Sequence, residues 1–485
     1  MSAPSAARTA FASALDLIAR HRPTGAGADR PPAFGSVAPS SPAADAIAPI
    51  GSGPIADARR RLDLLEVSAA ELVEQSILAA EKQGVDLGAV VELMADSARA
   101  AAQRLDALAA SGRTAGPLHG IPITVKDIIH VAGVPTRAGS AAYHHVPAVD
   151  AVAVARARAA GAIILAKVST HEFALGVTTP QSAHPLDHHR IPGGSSGGSA
   201  IAVACGIGLA SIGTDTRASI RVPASLCGVV GLKATFGVVP TEGIVPLSWT
   251  MDHVAPMAAT VADAALLLSV MAGRPLGAVA PRSFAAGVPE AAFEFCTPAI
   301  AAVVRSAIAA SFETSVEVAR PSSLDLDLAN ATGLVVSRCE AAAFHRSLGL
   351  DRTRYWDETR DQLDAADAVA ATDYLDAQRI RSQLATGLLS AFDHCDVLCL
   401  PTVGVPPPRR DDFTRFLTVL SRACVPFSLA GFPAISVPCG TDPDGFPVGL
   451  QIVGPPGADS QVIAAAGVVE SSTGVATDRD GTGGR

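Results

Sequence analysis

Residues 190–235 read RIPGGSSGGSAIAVACGIGLASIGTDTRASIRVPASLCGVVGLKAT, and the rest of the chain is organised around this stretch. It begins with two glycine pairs that flank two serines, Gly193–Gly198. A row of small residues costs backbone entropy, so it indicates a loop with unusual backbone angles or a close approach. An apolar run follows, and then a second loop, Gly213–Ser219. Ser195 and Ser219 therefore lie at the mouths of two loops, where a hydroxyl group can reach a substrate.

A third unusual residue is Lys126, which lies in the apolar, β-branched segment Ile121–Ile128. Lysine is almost never fully buried without a reason. A serine hydroxyl needs a base to become a good nucleophile, and burial lowers a lysine pKa until the neutral amine can be that base. A second hydroxyl between them can relay the proton, because it donates and accepts at once. Lys126, Ser195 and Ser219 are therefore predicted to form one nucleophilic constellation.

The second loop offers a further set of functional atoms. The turn Thr216–Ser219 can aim successive backbone N–H groups at a developing oxyanion. Such donors are commonly worth about 3–4 kcal/mol each in a transition state. The glycines around Ser195 in turn permit the awkward backbone conformation that places its hydroxyl. One loop is thus predicted to place a relay hydroxyl, and the other to place a nucleophile beside oxyanion donors.

The composition is that of a globular chain with a large core. Of 485 residues, 49% are apolar and 17% are charged, which fits one large domain or a few modules. The net charge of −9 leaves no basic surface, so nucleic acid is not an expected partner. Apolar runs such as Ala200–Ile212 are too short for a membrane span, and this one is predicted to be a buried helix.

The eight cysteines are scattered without CxxC spacing, mostly in apolar contexts. This usage is typical of a reduced, cytoplasmic protein. The histidine pairs at residues 144–145 and 188–189 have no cysteine near them. We therefore expect neither a metal ion nor another cofactor.

Composition along the chain predicts three regions. Residues 1–58 are expected to be a flexible leader with one short helix, Ala10–Arg20. Residues 59–468 form the predicted domain, with its core motif at residues 120–257, and residues 469–485 form a flexible tail. Helices and strands alternate around Lys126, which favours an α/β fold with a partly parallel sheet. The main predicted elements are the helices Ala69–Lys82 (N-cap Ser68), Val90–Ala110, Asp150–Ala160 (N-cap Asp150), Val261–Ala272, Ala301–Phe312 and Tyr374–Ala391, and the strands Ile121–Ile128, Ala162–Lys167, Ser315–Val318, Asp396–Leu400, Pro433–Cys439 and Val448–Val453.

These motifs resemble the amidase signature family of Ser-Ser-Lys hydrolases, over most of residues 62–468. The central motif is long and specific. The resemblance implies an α/β fold with a single domain, whose mixed β-sheet of about ten or eleven strands is covered by helices. The matching segments are Gly120–Asp127, Ala166–Gly176, Pro192–Ser199, Gly213–Arg221, Asp396–Thr402, Phe432–Ala434 and Gly445–Gly454.

Matched residue by residue, the resemblance implies a role for each part of the motif. Lys126 corresponds to the general base, Ser195 to the bridging serine after a cis peptide, and Ser219 to the acylated nucleophile. The implied reaction is two-step acyl transfer, in which water finally hydrolyses the serine ester. The remaining assignments are the oxyanion hole, formed by the backbone N–H groups of Thr216, Arg217, Ala218 and Ser219, and the bracing of that loop by Asp215 and Arg221.

The sequence departs from the family pattern just before the nucleophile, where Arg217 and Ala218 replace two glycines. Glycine there permits backbone torsions that arginine tolerates less cheaply. Three interpretations stay open. The Arg217 side chain points to the pocket and contacts a substrate carboxylate; it turns to solvent or pairs with a nearby acid; or the loop is altered and activity is impaired.

Other polar residues have simpler explanations. Glu172 is predicted to brace a loop through hydrogen bonds. Cys227 lies in an apolar, strand-like setting, and buried thiols are usually inert. His253 beside Asp252 suggests a rival Ser-His-Asp set, but Lys126 and its serine partner already supply a base and a relay.

Three functions remain open at this point. The first is a free-standing amidase that hydrolyses a small-molecule amide, carbamate or ureide and releases ammonia or an amine, acting alone or as a homodimer. The second is the glutaminase (A) subunit of a tRNA-dependent amidotransferase, which needs partner subunits. The third is a catalytically impaired pseudo-amidase or a nucleotide-binding module, although the glycine-rich stretch lacks a Gly-Lys-Ser/Thr ending. No membrane partner is expected.

Overall fold

A single eleven-stranded sheet runs through the computed structural model, which describes residues 6–23, 52–276, 283–318 and 324–474. The strands are β1 (Val90–Leu93), β2 (Pro122–Lys126), β3 (Ile163–Val168), β4 (Ala210–Asp215), β5 (Val230–Lys233), β6 (His253–Ala258), β7 (Ala285–Val288), β8 (Thr314–Glu317), β9 (Val397–Pro401), β10 (Ala434–Thr441) and β11 (Pro447–Val453). The mixed sheet predicted from the resemblance is confirmed.

Fifteen α-helices surround the sheet within the described residues. They are α1 (Ala6–Arg20), α2 (Pro54–Asp63), α3 (Ala69–Ala79), α4 (Ala95–Ala110), α5 (Val152–Ala159), α6 (Gly197–Ala204), α7 (Arg221–Cys227), α8 (Val261–Ala272), α9 (Pro298–Ser311), α10 (Leu326–Leu348), α11 (Asp357–Asp367), α12 (Ala371–Leu389), α13 (Leu417–Ser421), α14 (Val425–Leu429) and α15 (Asp459–Thr473). None of these described helices has the length and hydropathy that a bilayer crossing requires.

The strand order β1-β3-β2-β4-β6-β5-β10-β11-β9-β7-β8 mixes parallel and antiparallel pairs. At its centre β2 runs parallel to β3 and to β4, while β4 pairs antiparallel with β6. Every residue of β2, β3 and β4 is buried, as apolar strands covered by helices on both faces must be. Because β2 and β4 are parallel, their carboxyl ends, at Lys126 and Asp215, lie at the same edge of the sheet.

The N-cap that the sequence predicts at Ser68 is confirmed, and it forms a capping box with Glu71. The Ser68 hydroxyl accepts from the Glu71 N–H, and the Glu71 carboxylate accepts from the Ser68 N–H. Helix α8 begins and ends at the predicted residues, with Thr260 as its N-cap. The polar side chain that closes the first turn therefore sets the start of both helices.

Two predicted helices are partly wrong. Val90–Leu93 is not helical but forms strand β1, because it pairs antiparallel with β3 at the sheet edge. The apolar run Ala200–Ile212 divides into helix α6 and strand β4. Gly206 ends the helix with a φ of +68°, a left-handed backbone that glycine adopts at little cost.

The predicted N-cap at Asp150 is also wrong. Helix α5 begins at Val152, and its N-cap residue Ala151 makes no side-chain hydrogen bond. The Asp150 carboxylate instead accepts from the Ala132 N–H at 2.7 Å and pairs with Arg158 at 2.9 Å. Its oxygen atoms therefore serve the neighbouring loop and not the helix start.

Helix α1 lies within the segment predicted to be a flexible leader. It packs on α10, α11 and α12 and buries Phe11, Ala14 and Ile18. Arg22, just after it, pairs with Asp373 at 2.9 Å. The short helix predicted at Ala10–Arg20 is confirmed and begins four residues earlier, at Ala6, and its packing places it in the domain and not in a flexible segment. Residues 24–51 of the leader and 475–485 of the tail lie outside the described residues, and the boundaries at 58 and 468 stay predictions.

Candidate active site

Lys126 ends strand β2 and is completely buried. Its ammonium donates to three hydroxyl oxygens, those of Ser195 at 2.7 Å, Thr214 at 2.8 Å and Ser196 at 2.9 Å. Burial lowers the pKa of Lys126 to about 7, against the weaker opposing charges of Asp215 and Asp252. The neutral amine is therefore accessible near neutral pH, and it can accept a proton from a hydroxyl partner.

The first loop holds Ser195 through a tight backbone. The Gly194–Ser195 peptide is cis, as the resemblance implies. A Cβ atom at Gly194 would lie 2.1 Å from the Thr178 carbonyl oxygen, so only glycine fits there. The Ser195 carbonyl accepts from the His171 N–H at 3.2 Å. These contacts hold the backbone of Ser195, whose hydroxyl accepts from Lys126 at 2.7 Å.

Ser219 lies just before helix α7, and it is almost fully buried at 3% exposure. Its carbonyl oxygen accepts from the Ser196 N–H at 3.2 Å, which places the second loop against the first. Within the described part of the chain the Ser219 hydroxyl makes no hydrogen bond, so it is free to meet a substrate. The structure thus joins Lys126 directly to Ser195, and it joins Ser219 to the pair through the backbone.

The loop before Ser219 presents four backbone N–H groups, Thr216 to Ser219. None of them donates a hydrogen bond to another described residue. Buried N–H groups are rarely left without an acceptor in folded proteins. Their freedom is what an oxyanion site requires.

Asp215 and Arg221 hold this loop in place. The buried Arg221 guanidinium donates to both Asp215 carboxylate oxygens, at 2.9 and 3.0 Å, and to the Arg217 carbonyl at 3.1 Å. Burial alone would raise the pKa of Asp215, but the charge and hydrogen bonds of Arg221 bring it down to about 2. The pair is therefore ionised, and its hydrogen bonds link Asp215 to the carbonyl of Arg217 in the loop.

Arg217 is the departure from the family pattern, and its side chain lines a cavity of about 540 Å³. It donates to the Asn330 side-chain oxygen at 3.3 Å, while its Nε is buried without an acceptor. No carboxylate lies within ion-pairing distance of Arg217 in the described ranges. The described residues therefore give Arg217 no acidic partner, and its contact with a substrate stays a prediction.

Several residues of the site were not singled out from the sequence. Ser196 and Thr214 complete the hydroxyl shell of Lys126, and both lie in the motifs already quoted. Asp252 accepts from the Thr216 hydroxyl at 2.6 Å, and burial raises its pKa to about 6. The only signal for Asp252 was its place beside His253.

The rival residues lie in structural settings. His253 bonds to the carbonyl oxygens of Met251 and Asp215 through Nδ1, which leaves that nitrogen no serine partner. Glu172 accepts from the Ser140 hydroxyl at 2.6 Å and from the Trp356 N–H at 2.8 Å, so it braces loops as predicted. Cys227 is buried at 7% exposure.

Comparison with known proteins identifies similar sequences over most of the chain. The sequence pattern of the Amidase family matches residues 71–319 and 284–463. An amidase from Pseudomonas putida is 36% identical over 427 residues, 81% of this chain and 90% of that protein. The A-type subunit of glutamyl-tRNA(Gln) amidotransferase from Anaeromyxobacter sp. (strain K) is 35% identical over 467 residues, 84% of this chain and 94% of that protein.

A solved structure agrees with the sequence relatives. An amidase crystal structure superposes with a TM-score of 0.80 at 35% identity, and the match covers 86% of this chain and 99% of that one. Identity at this level over more than four fifths of this chain shows common family membership and not only a common fold. The chain therefore belongs to the Amidase family, the amidase signature enzymes that hydrolyse carbon–nitrogen bonds.

Proposed function

We propose that this enzyme hydrolyses a small-molecule amide by two-step acyl transfer, with Ser219 as the nucleophile, Ser195 as the bridging hydroxyl and Lys126 as the general base. The observation that carries the proposal is the fully buried 2.7 Å contact between Lys126 Nζ and Ser195 Oγ, at a lysine whose pKa burial lowers to about 7. A base needs both reach and a pKa near the working pH.

In the first step the Ser219 oxygen bonds to the amide carbonyl carbon. The Ser219 proton passes to Ser195, whose own proton passes to neutral Lys126. A hydroxyl rotates about its C–O bond, and catalytic hydrogen bonds often form only with substrate bound. The free Ser219 hydroxyl is consistent with that behaviour.

The carbonyl oxygen becomes an oxyanion, and the N–H groups of Thr216 to Ser219 supply the donors that stabilise it. The proton on Lys126 then returns through Ser195 to the leaving nitrogen, and the C–N bond breaks. Water attacks the acyl-Ser219 ester along the same proton route and restores the enzyme.

The test is covalent labelling with a fluorophosphonate probe. The parent protein should be labelled once, and Ser219→Ala should abolish labelling and amide hydrolysis together. Ser97→Ala is the matched control, because Ser97 lies on α4 and bonds only to the Met94 carbonyl. Labelling that persists in Ser219→Ala would refute the nucleophile assignment.

A glutaminase subunit of a tRNA-dependent amidotransferase is the second candidate, favoured by the 35% identity to the relative of that name. It would require partner subunits and tRNA. Ammonia release from glutamine by the purified chain, and its stimulation by a partner subunit, distinguishes the two functions. Cytoplasmic location stays part of the proposal, supported by the eight free cysteines.

A further inference from the structure

The cavity beside the second loop has two chemically different kinds of lining. Phe11, Ala14 and Leu17 of helix α1 contribute apolar surface. Arg217 and Arg338 contribute guanidinium groups. Arg217 lies two positions before Ser219 in the loop proposed to hold the oxyanion, so one wall of the cavity belongs to that loop, although Lys126, Ser195 and Ser219 are not among the lining residues.

The two arginines differ in how fully their donors are used. Arg338 donates to Gln362 at 2.7 Å, to the Leu175 carbonyl at 2.7 Å and to Ser337 at 3.2 Å. Arg217 has the long contact with Asn330 and a buried Nε without an acceptor. A buried charged donor without an acceptor is costly, so Arg217 is the arginine with an unsatisfied hydrogen-bond donor.

Asn330 does not supply the negative charge that would pair with Arg217. Its side-chain N–H₂ donates to the carbonyl oxygens of Leu326 and Arg422, at 2.7 and 3.1 Å, which fixes its oxygen toward Arg217. A neutral amide oxygen accepts a hydrogen bond but brings no negative charge. Burial, and to a smaller extent the positive charge of Arg217, lower the pKa of Arg338 to about 9.

The carboxylates of the cavity are engaged elsewhere or stand apart from Arg217. Asp327 pairs with Arg422 at 2.8 Å. Glu358 accepts from Gln362 at 3.3 Å and lies 3.7 Å from His171. Asp361, also in the lining, makes no ion pair with Arg217 within the described chain. None of these three carboxylates pairs with Arg217, so its guanidinium is open to an anion from outside the protein.

We propose that the substrate of the amide hydrolysis proposed above carries a carboxylate, and that Arg217 binds this carboxylate in the cavity. A guanidinium binds a carboxylate through two parallel hydrogen bonds, which fixes orientation as well as charge. The apolar residues of α1 then contact the carbon chain. The carboxylate lies on the acyl part or on the leaving amine, and both sources present the same group to Arg217.

Binding measured without turnover tests this inference separately from the mechanism. On a Ser219→Ala background, calorimetry compares glutaramate with its methyl ester, and N-acetyl-β-alanine with its methyl ester. The first pair places the carboxylate on the acyl part, and the second on the amine. We expect at least one acid to bind roughly tenfold or more tightly than its ester, and Arg217→Met to erase that preference.

The controls separate charge from damage. Arg217→Met keeps the backbone N–H, and with Ser219 intact the rate of fluorophosphonate labelling of this variant measures how far the change disturbs the loop. Arg217→Lys should retain part of the preference. Arg99→Met, which removes an exposed arginine paired with Glu74, should change nothing.

Three outcomes overturn the inference: no binding of either acid, no preference of the parent for acid over ester, or equal losses for acid and ester in Arg217→Met. A Ser219→Ala protein that still reacts with the probe, yet binds acids through Arg217, refutes the nucleophile and leaves the carboxylate site standing. If Ser219→Ala abolishes labelling but Arg217→Met leaves the preference for acid over ester unchanged, the carboxylate site is refuted and the nucleophile assignment stands.

Discussion

Lys126 and Lys167 are buried lysines on neighbouring strands with opposite surroundings. In the pairing of β2 with β3, Lys167 lies opposite Val125 and Lys126 opposite Val168. Successive side chains of a strand alternate, so the two lysines point to opposite faces of the sheet. Lys167 pairs with the Asp127 carboxylate at 2.8 Å, whereas Lys126 contacts three hydroxyl groups.

The difference shows that the hydrogen-bond partner, and not burial, decides whether a buried lysine is held as a cation or can act as a general base. Burial lowers the pKa of both lysines, but Asp127 opposes the change at Lys167 and holds a cation in place. Lys233 adds a third case, since burial lowers its pKa to about 7 and its carbonyl partners, Ala234 and Phe432, have no proton to give. Lys167 also donates to the Thr136 hydroxyl at 3.2 Å, but its closer partner is the Asp127 carboxylate. Among the three lysines compared, Lys126 is the one whose hydrogen-bond partners are all hydroxyl groups.

The largest expected effect is the loss of catalysis in Lys126→Met. Methionine fills a similar volume without a base, and general-base catalysis is worth roughly a hundredfold to ten-thousandfold in rate. We expect kcat/KM for amide hydrolysis to fall at least that far while circular dichroism stays unchanged. Lys233→Met is the matched control, and a comparable loss there with an intact fold would break the distinction between carbonyl and hydroxyl partners.

Lys167→Met should act on stability instead. It leaves the Asp127 carboxylate buried without its cation, which typically costs about 3–5 kcal/mol. Urea unfolding should show a lower midpoint, and the double variant Asp127→Leu/Lys167→Met should recover much of the loss. If the single variant keeps its stability and loses activity, Lys167 belongs to the chemistry and the comparison fails.

The sequence was enough for the fold wherever a segment had one strong pattern. Helix α8 and the Ser68 capping box follow from local residues alone. Strand β1 does not, because Val90–Leu93 becomes a strand only through pairing with β3, far along the chain. Helix α1 was predicted from its local residues, but its packing on α10 was not, because that contact joins segments far apart in the chain.

The site divides in the same way. Lys126 and Ser195 are recognisable because a lysine in an apolar strand and a glycine-flanked serine are unusual on their own. Arg217 was visible as a departure, but its surroundings were not. Asn330 is far from Arg217 in sequence. That Arg217 has no carboxylate partner among the described residues depends on how the cavity folds, so the sequence could not show it.

The pH profile sharpens the comparison between the two lysines. Lys126 must be neutral to accept a proton, so activity is lost as pH falls through its pKa and gained as pH rises through it. We expect kcat/KM for a neutral amide to rise to a plateau with an inflection near pH 7. The inflection should stay in place in the Asp127→Leu/Lys167→Met variant, and a shift there would assign the titration to Lys167.

The smallest expected effect is a shift of that inflection in Thr214→Val. The substitution keeps the shape of the side chain and removes the hydroxyl that accepts from Lys126 at 2.8 Å. The ammonium form loses a partner that stabilises it, so the pKa of Lys126 should fall further, by up to about one unit. Activity below neutral pH should therefore rise relative to the plateau, because more of the lysine is neutral there. An inflection that moves upward would show that Thr214 stabilises the neutral amine by donating to it. Each of the three hydroxyl partners would then have to be tested for whether it donates to Lys126 or accepts from it.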